Sequence, residues 1–396
     1  MTPDVHLRGR RIHFWCPGLR QQGGGIEAYT LAFVQAADAW DAGAEITVCA
    51  KNERREVAGE NAAGHLKRLT TGDVPLRLRT AVFSACIIVR ALFERPDLIV
   101  ITHLNFSPVA RLLKWLLGIP YWVSLHGIEA WDLEHPGRRR ALAGADLLLP
   151  VSEFTRDRVR TEQGISGERF FVLHDTVDEE KFTIGARPEW LAQRLGFSEE
   201  DAIILTVGRL ARAEAYKGQD RIIRALPVIR QRVPRVKYLI VGDGDDRPRL
   251  EALTVSLGVT DAVVFAGRIP EAEIVEHFRL CDLFAMPSTG EGFGITYLEA
   301  MACGKPTLGG NKDAAVDALC GGELGALVDP HSERELAETI SAILQKTFAH
   351  PLMFHPGLLR RRAIEHFGLQ VFNSAVAGRF DEFFTRRAKA RLAALA

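Results

Sequence analysis

The chain has 396 residues with 47% hydrophobic and 25% charged content, enough apolar surface for two or three domain cores. Its 50 basic and 50 acidic residues cancel to zero formal charge, which removes any global electrostatic reason to bind nucleic acid or an acidic polymer. Function that uses charge must therefore be local.

The cysteines, Cys16, Cys49, Cys86, Cys281, Cys303 and Cys320, show no Cys-x-x-Cys or His-flanked spacing, and they read as reduced core thiols of an intracellular protein. Residues 1–11 lack the apolar stretch of a signal peptide, so a cytoplasmic location is expected. The apolar run 81–89 is far short of the roughly 20 residues that a spanning helix needs.

Along the first half, short β-branched or aromatic runs at 12–16, 46–50, 98–102, 121–125, 147–151 and 170–173 alternate with helical patterns. That alternation predicts a parallel sheet wrapped by helices, and the nearly all-apolar strands predict cover on both faces. After the polar stretch 175–188 the pattern restarts, with strands expected at 203–207, 238–241, 263–265, 283–286, 306–308 and 326–328. The reading is an α/β protein of two doubly wound domains facing a cleft, residues 1–178 with 369–396 and residues 179–368. The final stretch reads as a basic helix whose Phe372, Val376, Phe380, Phe383 and Phe384 form a stripe that packs back on the first domain.

Ligands of such sheets bind beyond the carboxyl ends of the strands, and those ends carry the distinctive residues. Gly23, Gly24 and Gly25 lie between the first strand and a helix starting near Glu27, where backbone N–H groups can approach a diphosphate; a plain tight turn is the alternative. His126 follows the 121–125 strand and is placed either to orient a substrate hydroxyl or for acid–base work, with Glu129 near enough to orient it; a structural histidine is the competing reading. Arg209 and Lys217 flank the loop after the 203–207 strand, and together they suit a diphosphate leaving group. Asp243 and Asp245 resemble a metal motif, but the Gly-Asp-Gly context reads better as a turn.

The richest segment runs from Glu291 through Gly292, Phe293, Gly294 and Ile295 to Glu299. The glycines place Glu291 in a loop and start a helix near Ile295, so amides face an anion and Glu299 lies about one turn in. A helical span of eight residues separates the two acids by at most about 12 Å, which suits two ends of one extended ligand. An unpaired acid among Leu298, Ala300, Met301 and Ala302 is costly, and that favours a ligand-binding role.

With these residues in view, the chain resembles the family 4 retaining glycosyltransferases of the GT-B fold. The resemblance rests on Gly24 and Gly25 before Ile26-Glu27, Leu125-His126-Gly127, Val207-Gly208-Arg209-Leu210, Tyr216-Lys217-Gly218, Val241-Gly242-Asp243-Gly244, and Glu291 with Glu299. It implies two Rossmann-like domains about a central cleft and a nucleoside-diphosphate-sugar donor. It also implies a saccharide or lipid-linked saccharide acceptor, with no metal and no further cofactor. It assigns the donor diphosphate to Arg209, Lys217, Gly24 and Gly25, the ribose hydroxyls to Glu299, and the sugar hydroxyls to Glu291, to amides at Phe293, Gly294 and Ile295, and to His126. Asp175-Thr176-Val177-Asp178 stands where the family often has Asn-Gly-Val-Asp, and residues 211–215 lengthen the loop before Lys217. An epimerase or hydrolase of the same architecture, or a silent nucleotide-sugar-binding subunit, is the rival reading.

Between residues 76 and 119, Arg77, Arg79, Arg90, Arg95, Arg111 and Lys114 outnumber Glu94 and Asp97 and flank Phe83, Ile87, Trp115 and Leu116. This pattern suits either a peripheral contact with an anionic membrane or ordinary half-buried helices.

Overall fold

The computed structural model describes residues 10–19, 24–54 and 66–395; Gly23 of the glycine loop lies outside them. The chain divides into two compact units, Met1–His174 with Gln370–Ala396, and Asp175–Leu369.

The first unit runs β1 (Arg11–Cys16), α1 (Gly25–Trp40), β2 (Glu45–Ala50), β3 (Lys67–Thr70), α2 (Leu76–Glu94), β4 (Leu98–Ile101), α3 (Ser107–Leu117), β5 (Tyr121–Leu125), α4 (Pro136–Gly144), β6 (Leu147–Pro150) and α5 (Glu153–Gln163). The strands form one sheet in the order β3-β2-β1-β4-β5-β6, parallel at every pairing. All of β4 and β5 is buried, as helical cover on both faces requires.

The second unit repeats the plan with α6 (Glu189–Leu195), β7 (Ala202–Val207), α7 (Gln219–Arg232), β8 (Val236–Val241), α8 (Arg247–Ser256), β9 (Val263–Gly267), α9 (Ile274–Leu280), β10 (Leu283–Met286), α10 (Ile295–Ala302), β11 (Thr307–Gly310), α11 (Ala315–Ala318), β12 (Ala326–Val328), α12 (Glu333–Leu344) and α13 (Pro356–Phe367). Its sheet order is β12-β11-β10-β7-β8-β9, again all parallel. In both sheets the first and fourth strands of the unit lie side by side, β1 with β4 and β7 with β10. At that switch point the loops leave in opposite directions and open a crevice beyond the strand ends.

The last helix, α14 (Leu369–Leu395), belongs to the first unit from Gln370 onward. Its aromatic stripe is core packing. Phe380 is fully buried and stacks on Trp122 at 5.3 Å, with Trp40 at 4.9 Å, while Phe372 meets Tyr29 edge-on at 5.8 Å. Trp40 Nε1–H donates to Asp381 at 2.9 Å, and Arg387 donates to the Asp97 carbonyl at 2.7 Å.

Two details depart from the sequence pattern. Residues 170–173, expected as a strand, are not one. Phe171 and Leu173 donate backbone hydrogen bonds to Leu148 and Pro150 of β6, and a single bridge joins Leu148 to Phe170, so the ladder never propagates. Conversely β3 is a strand made of Lys67-Arg68-Leu69-Thr70, whose polar side chains suit a half-exposed edge. Among the described residues no helix is long and apolar enough to cross a membrane.

Phe380→Ala should destabilise the protein by ~3–5 kcal/mol in urea unfolding, because it empties a sealed aromatic site. An effect below about 1 kcal/mol would show that α14 is only loosely attached.

Candidate functional site

In the second unit the switch point brings the loop after β7 beside the loop after β10. The first of these is pinned by close backbone approach. Gly242 has φ of +133°, and a Cβ there would lie 1.9 Å from the Gly208 carbonyl oxygen; one on Gly244 would lie 2.3 Å from that of Leu210. These glycines are required by the crossing of two main chains. The aspartates between and after them serve the turn: Asp243 Oδ1 accepts from the Gly244 N–H at 2.9 Å, Asp245 accepts from the Arg212 N–H at 2.9 Å, and buried Asp246 pairs with Arg249 at 2.6 Å. Among the described residues no cluster of three metal-ligating side chains forms.

From this platform Arg209 projects with 74% of its side chain exposed and pairs with Glu214. Residues Arg212–Lys217 form a short 3-10 segment, so the lengthened loop is ordered and delivers both Glu214 and Lys217. Lys217 Nζ lies 3.1 Å from Glu291 Oε2 and 3.8 Å from Glu214, with Lys217 and Glu291 side chains only 13% and 16% exposed. Two cations and two carboxylates are thus gathered at one strand-end crevice. Sequence reasoning placed three of the four and missed Glu214.

The Glu291 loop is held from beneath. The Glu291 N–H donates to Asp313 Oδ2 at 2.7 Å and the Ala315 N–H to Oδ1 at 3.0 Å, and burial raises the pKa of this fully buried acid. Arg221 donates to the Pro287 carbonyl at 2.6 Å and to Thr289 Oγ1 at 3.2 Å, bracing the same segment. Neither Asp313 nor Arg221 carries a local sequence signal, because each acts on a loop distant along the chain. Phe293 is buried with its ring 5.4 Å from Phe367, so its side chain anchors the turn. Gly294 has φ of +96°, and α10 begins at Ile295 with its first amides at the loop, the arrangement that favours an anion.

Glu299 lies on the first turns of α10, half-buried, and its carboxylate makes no hydrogen bond or ion pair among the described residues. Burial raises it to about 7, with Lys181 opposing and Glu271 adding. An acceptor held close to its neutral form in a recess is suited to a hydroxyl-bearing ligand.

Asp175 was visible in the sequence only as a departure from a family pattern. It is buried, its Oδ1 has no hydrogen-bond partner, and burial first and the charge of Glu291 second raise it to about 8. The side chain is therefore a neutral acid at neutral pH, the protonated equivalent of an amide.

In the first unit, Gly24 is exposed and extended, with open space where a Cβ would stand. Among the described residues no packing demands glycine there. Gly25 opens α1. His126 Nε2 lies 2.9 Å from the Thr102 carbonyl, which can only accept, so Nε2 carries the proton and Nδ1 is the free lone pair. Burial lowers His126 to about 4. The ring packs edge-on against Tyr29 at 4.9 Å. Held neutral, it is an acceptor for a hydroxyl and a poor proton donor at neutral pH. Glu129 accepts the His126 main-chain N–H at 2.5 Å, so it fixes the backbone and not the imidazole. His103, just beyond β4, interacts electrostatically with Glu129, and its Nδ1 accepts from the Asn105 N–H at 3.2 Å.

Comparison with known proteins bears on this arrangement. Residues 23–181 match the model of Glycosyltransferase Family 4, and residues 189–357 match that of Glycosyl transferases group 1. The chain belongs to the family 4 glycosyltransferases of the GT-B fold. The chain is 36% identical over 219 residues to a GDP-mannose-dependent alpha-(1-6)-phosphatidylinositol monomannoside mannosyltransferase of Mycolicibacterium smegmatis, a match covering 52% of this chain and 56% of that protein. It therefore spans little more than half the length of that curated relative. A D-inositol 3-phosphate glycosyltransferase of Acidothermus cellulolyticus is 28% identical over 328 residues, covering 74% of this chain and 72% of its own. The crystal structure of Anabaena HepE in complex with UDP and glucose superposes with a TM-score of 0.75 at 22% identity, covering 94% of this chain and 100% of the other. At that identity the likeness concerns the fold.

The buried acid Asp175 makes a prediction about pH. Its folded pKa of about 8 exceeds the unfolded value near 4, so the folded state binds the extra proton and the wild type loses stability as pH rises between those limits. Asp175→Asn keeps the shape without the titration. In urea unfolding its advantage over wild type should be small at pH 5 and grow to on the order of 2–5 kcal/mol at pH 9. An advantage that does not change with pH would place the charge in water.

Proposed function

We propose that the protein is a retaining, metal-independent glycosyltransferase that moves a hexose from a nucleoside diphosphate sugar to an acceptor hydroxyl. The observation that carries this reading is the meeting of Arg209, Glu214, Lys217 and Glu291 at the switch point of the second unit, with the amides of α10 and the recessed Glu299 on the adjoining element. A diphosphate satisfies Arg209 and Lys217, while the freed carboxylate of Glu291 takes sugar hydroxyls and Glu299 takes those of the ribose. The family resemblance assigns Gly24 and Gly25 to phosphate and His126, through its Nδ1 lone pair, to a sugar hydroxyl.

On this reading the chemistry runs as a same-face displacement without an enzyme nucleophile. The bond from the sugar's anomeric carbon to the diphosphate oxygen breaks, and both electrons leave with the nucleoside diphosphate. Arg209 and Lys217 neutralise that developing charge. The acceptor oxygen bonds to the same face of the anomeric carbon, and its proton passes to an oxygen of the departing phosphate. No enzyme nucleophile takes part, and the neutral His126 is not asked to supply a proton.

The names of the relatives guide the substrates. GDP-mannose is the first donor to test, with UDP-glucose second because HepE holds UDP and glucose, and inositol-bearing saccharides or lipid-linked saccharides are the first acceptors.

Thermal shifts with GDP-, UDP-, ADP- and dTDP-sugars should single out one base, with stabilisation rising with ligand concentration. With that donor, Arg209→Ala and Glu291→Gln should each lower turnover by about 10²–10³-fold while melting temperature holds. Near-wild-type turnover in both would sink the assignment, as would an inverted anomeric product for the retaining course.

A further inference from the structure

Helix α2 is apolar on two opposite faces. Phe83, Ile87 and Ala91 enter the core of the first unit, as a helix on a sheet requires. On the other side Leu78, Ala81, Ala85, Val89 and Leu92 repeat at the same helical spacing, and all are exposed to solvent. An ordinary surface helix is polar on that side. Phe93, beside the end of this stripe, is 84% exposed. Helix α3 packs alongside α2 and continues the surface with Leu112, Leu116 and an 80% exposed Trp115. Isolated exposed leucines are normal, but two adjacent helices turning a row of large apolar side chains outward are not.

Among the described residues, the unpaired charges on these two helices and their caps have one sign. Arg77, Arg95 and Arg111 are exposed, and none is in an ion pair among the described residues. The one acid on the two helices, Glu94, is occupied by His13, Thr47 and Arg90. Beside Trp115 an open depression of about 910 Å³ is lined by Arg111, Lys114 and Arg169, and its single carboxylate, Asp146, already accepts from Lys114 and from the Tyr121 N–H. Phe83 and Ile87 take no part in this surface, and the charges of Arg90 and Lys114 are already paired.

We propose that the α2–α3 face docks the protein on an anionic lipid bilayer, with Phe93, Trp115 and the leucine stripe entering the interfacial region and Arg77, Arg95 and Arg111 meeting phosphate headgroups. Large apolar side chains rimmed by unpaired cations fit that boundary, where apolar burial and headgroup attraction add. A second copy of the chain fits poorly, because a two-fold contact would set the arginines of one face against those of the other. This surface belongs to the first unit and contains none of the residues proposed to bind the donor in the second, so its test does not depend on the proposed reaction.

The experiment is sedimentation with vesicles of phosphatidylcholine alone and of phosphatidylcholine mixed with phosphatidylglycerol. It compares the wild type with Phe93→Ser/Trp115→Ser and with Arg77→Glu/Arg111→Glu. All four positions are exposed, so melting temperatures should be unchanged, and so should stabilisation by nucleoside diphosphates. The wild type is expected to bind the anionic vesicles at least tenfold more strongly than the neutral ones. Each double variant should lose at least tenfold of that partitioning, and added salt should weaken wild-type binding. Three results would overturn the proposal: no preference for anionic vesicles, variants that partition like wild type, or a wild-type dimer in ultracentrifugation that the Phe93→Ser/Trp115→Ser variant dissolves.

Discussion

Lys217 and Glu291 come from loops after different strands, yet they meet at 3.1 Å in a recess where neither is well solvated. Taking either partner away would leave a partly buried charge uncompensated, and this mutual need orders the loops around them. Glu214 shares Lys217 and reaches on to Arg209, so one network spans the mouth of the crevice. The glycines at 242 and 244 let the β7 and β8 loops cross closely enough to build the platform, and Asp313 holds the opposite wall. In the proposed reading, an arriving diphosphate would displace the carboxylates from these cations. The cluster is thus organised by its own ion pairs, and the cations would need little rearrangement to meet charge that develops on a leaving group.

Beside this ionic cluster of the second unit, each unit keeps certain polar groups neutral. His126 is held without its second proton by burial, Glu299 sits close to the point of protonation, and Asp175 carries its proton through neutral pH. Hydroxyls of a sugar or ribose are donors and acceptors without charge, and neutral or nearly neutral partners recognise them at low desolvation cost. In the proposed reading, phosphate recognition falls to the arginine, the lysine and the helix amides. This division between charged and neutral groups supports the reading of a nucleotide-sugar donor.

The architecture was legible because buried parallel strands write long apolar runs, as at 98–101 and 121–125, and because the strand ends carry glycines and charges that a core does not need. Edge elements were less legible. Lys67-Arg68-Leu69-Thr70 is too polar to look like a strand, while residues 170–173 are apolar because they cover β6, not because they extend its ladder. In the site, Arg209, Lys217, Glu291 and Glu299 stood out through their positions at strand ends and on a glycine-bounded helix. Glu214 was hidden in an irregular loop. Asp313 and Arg221 act on main-chain atoms more than twenty residues away, and no local pattern records such a contact. Asp175 reads in the sequence only as a departure from a motif, because the burial that raises its pKa is a property of the fold.

The claim at the centre of this account is that the Arg209–Lys217 cluster recognises a diphosphate. Calorimetric titration with nucleoside di- and monophosphates of the preferred base tests it directly, for the wild type and for Lys217→Met. The wild type should bind the diphosphate at least tenfold more tightly than the monophosphate, and the variant should lose most of that ratio while still binding both. Equal affinity of the wild type for the two nucleotides, or an unchanged ratio in the variant, would contradict it.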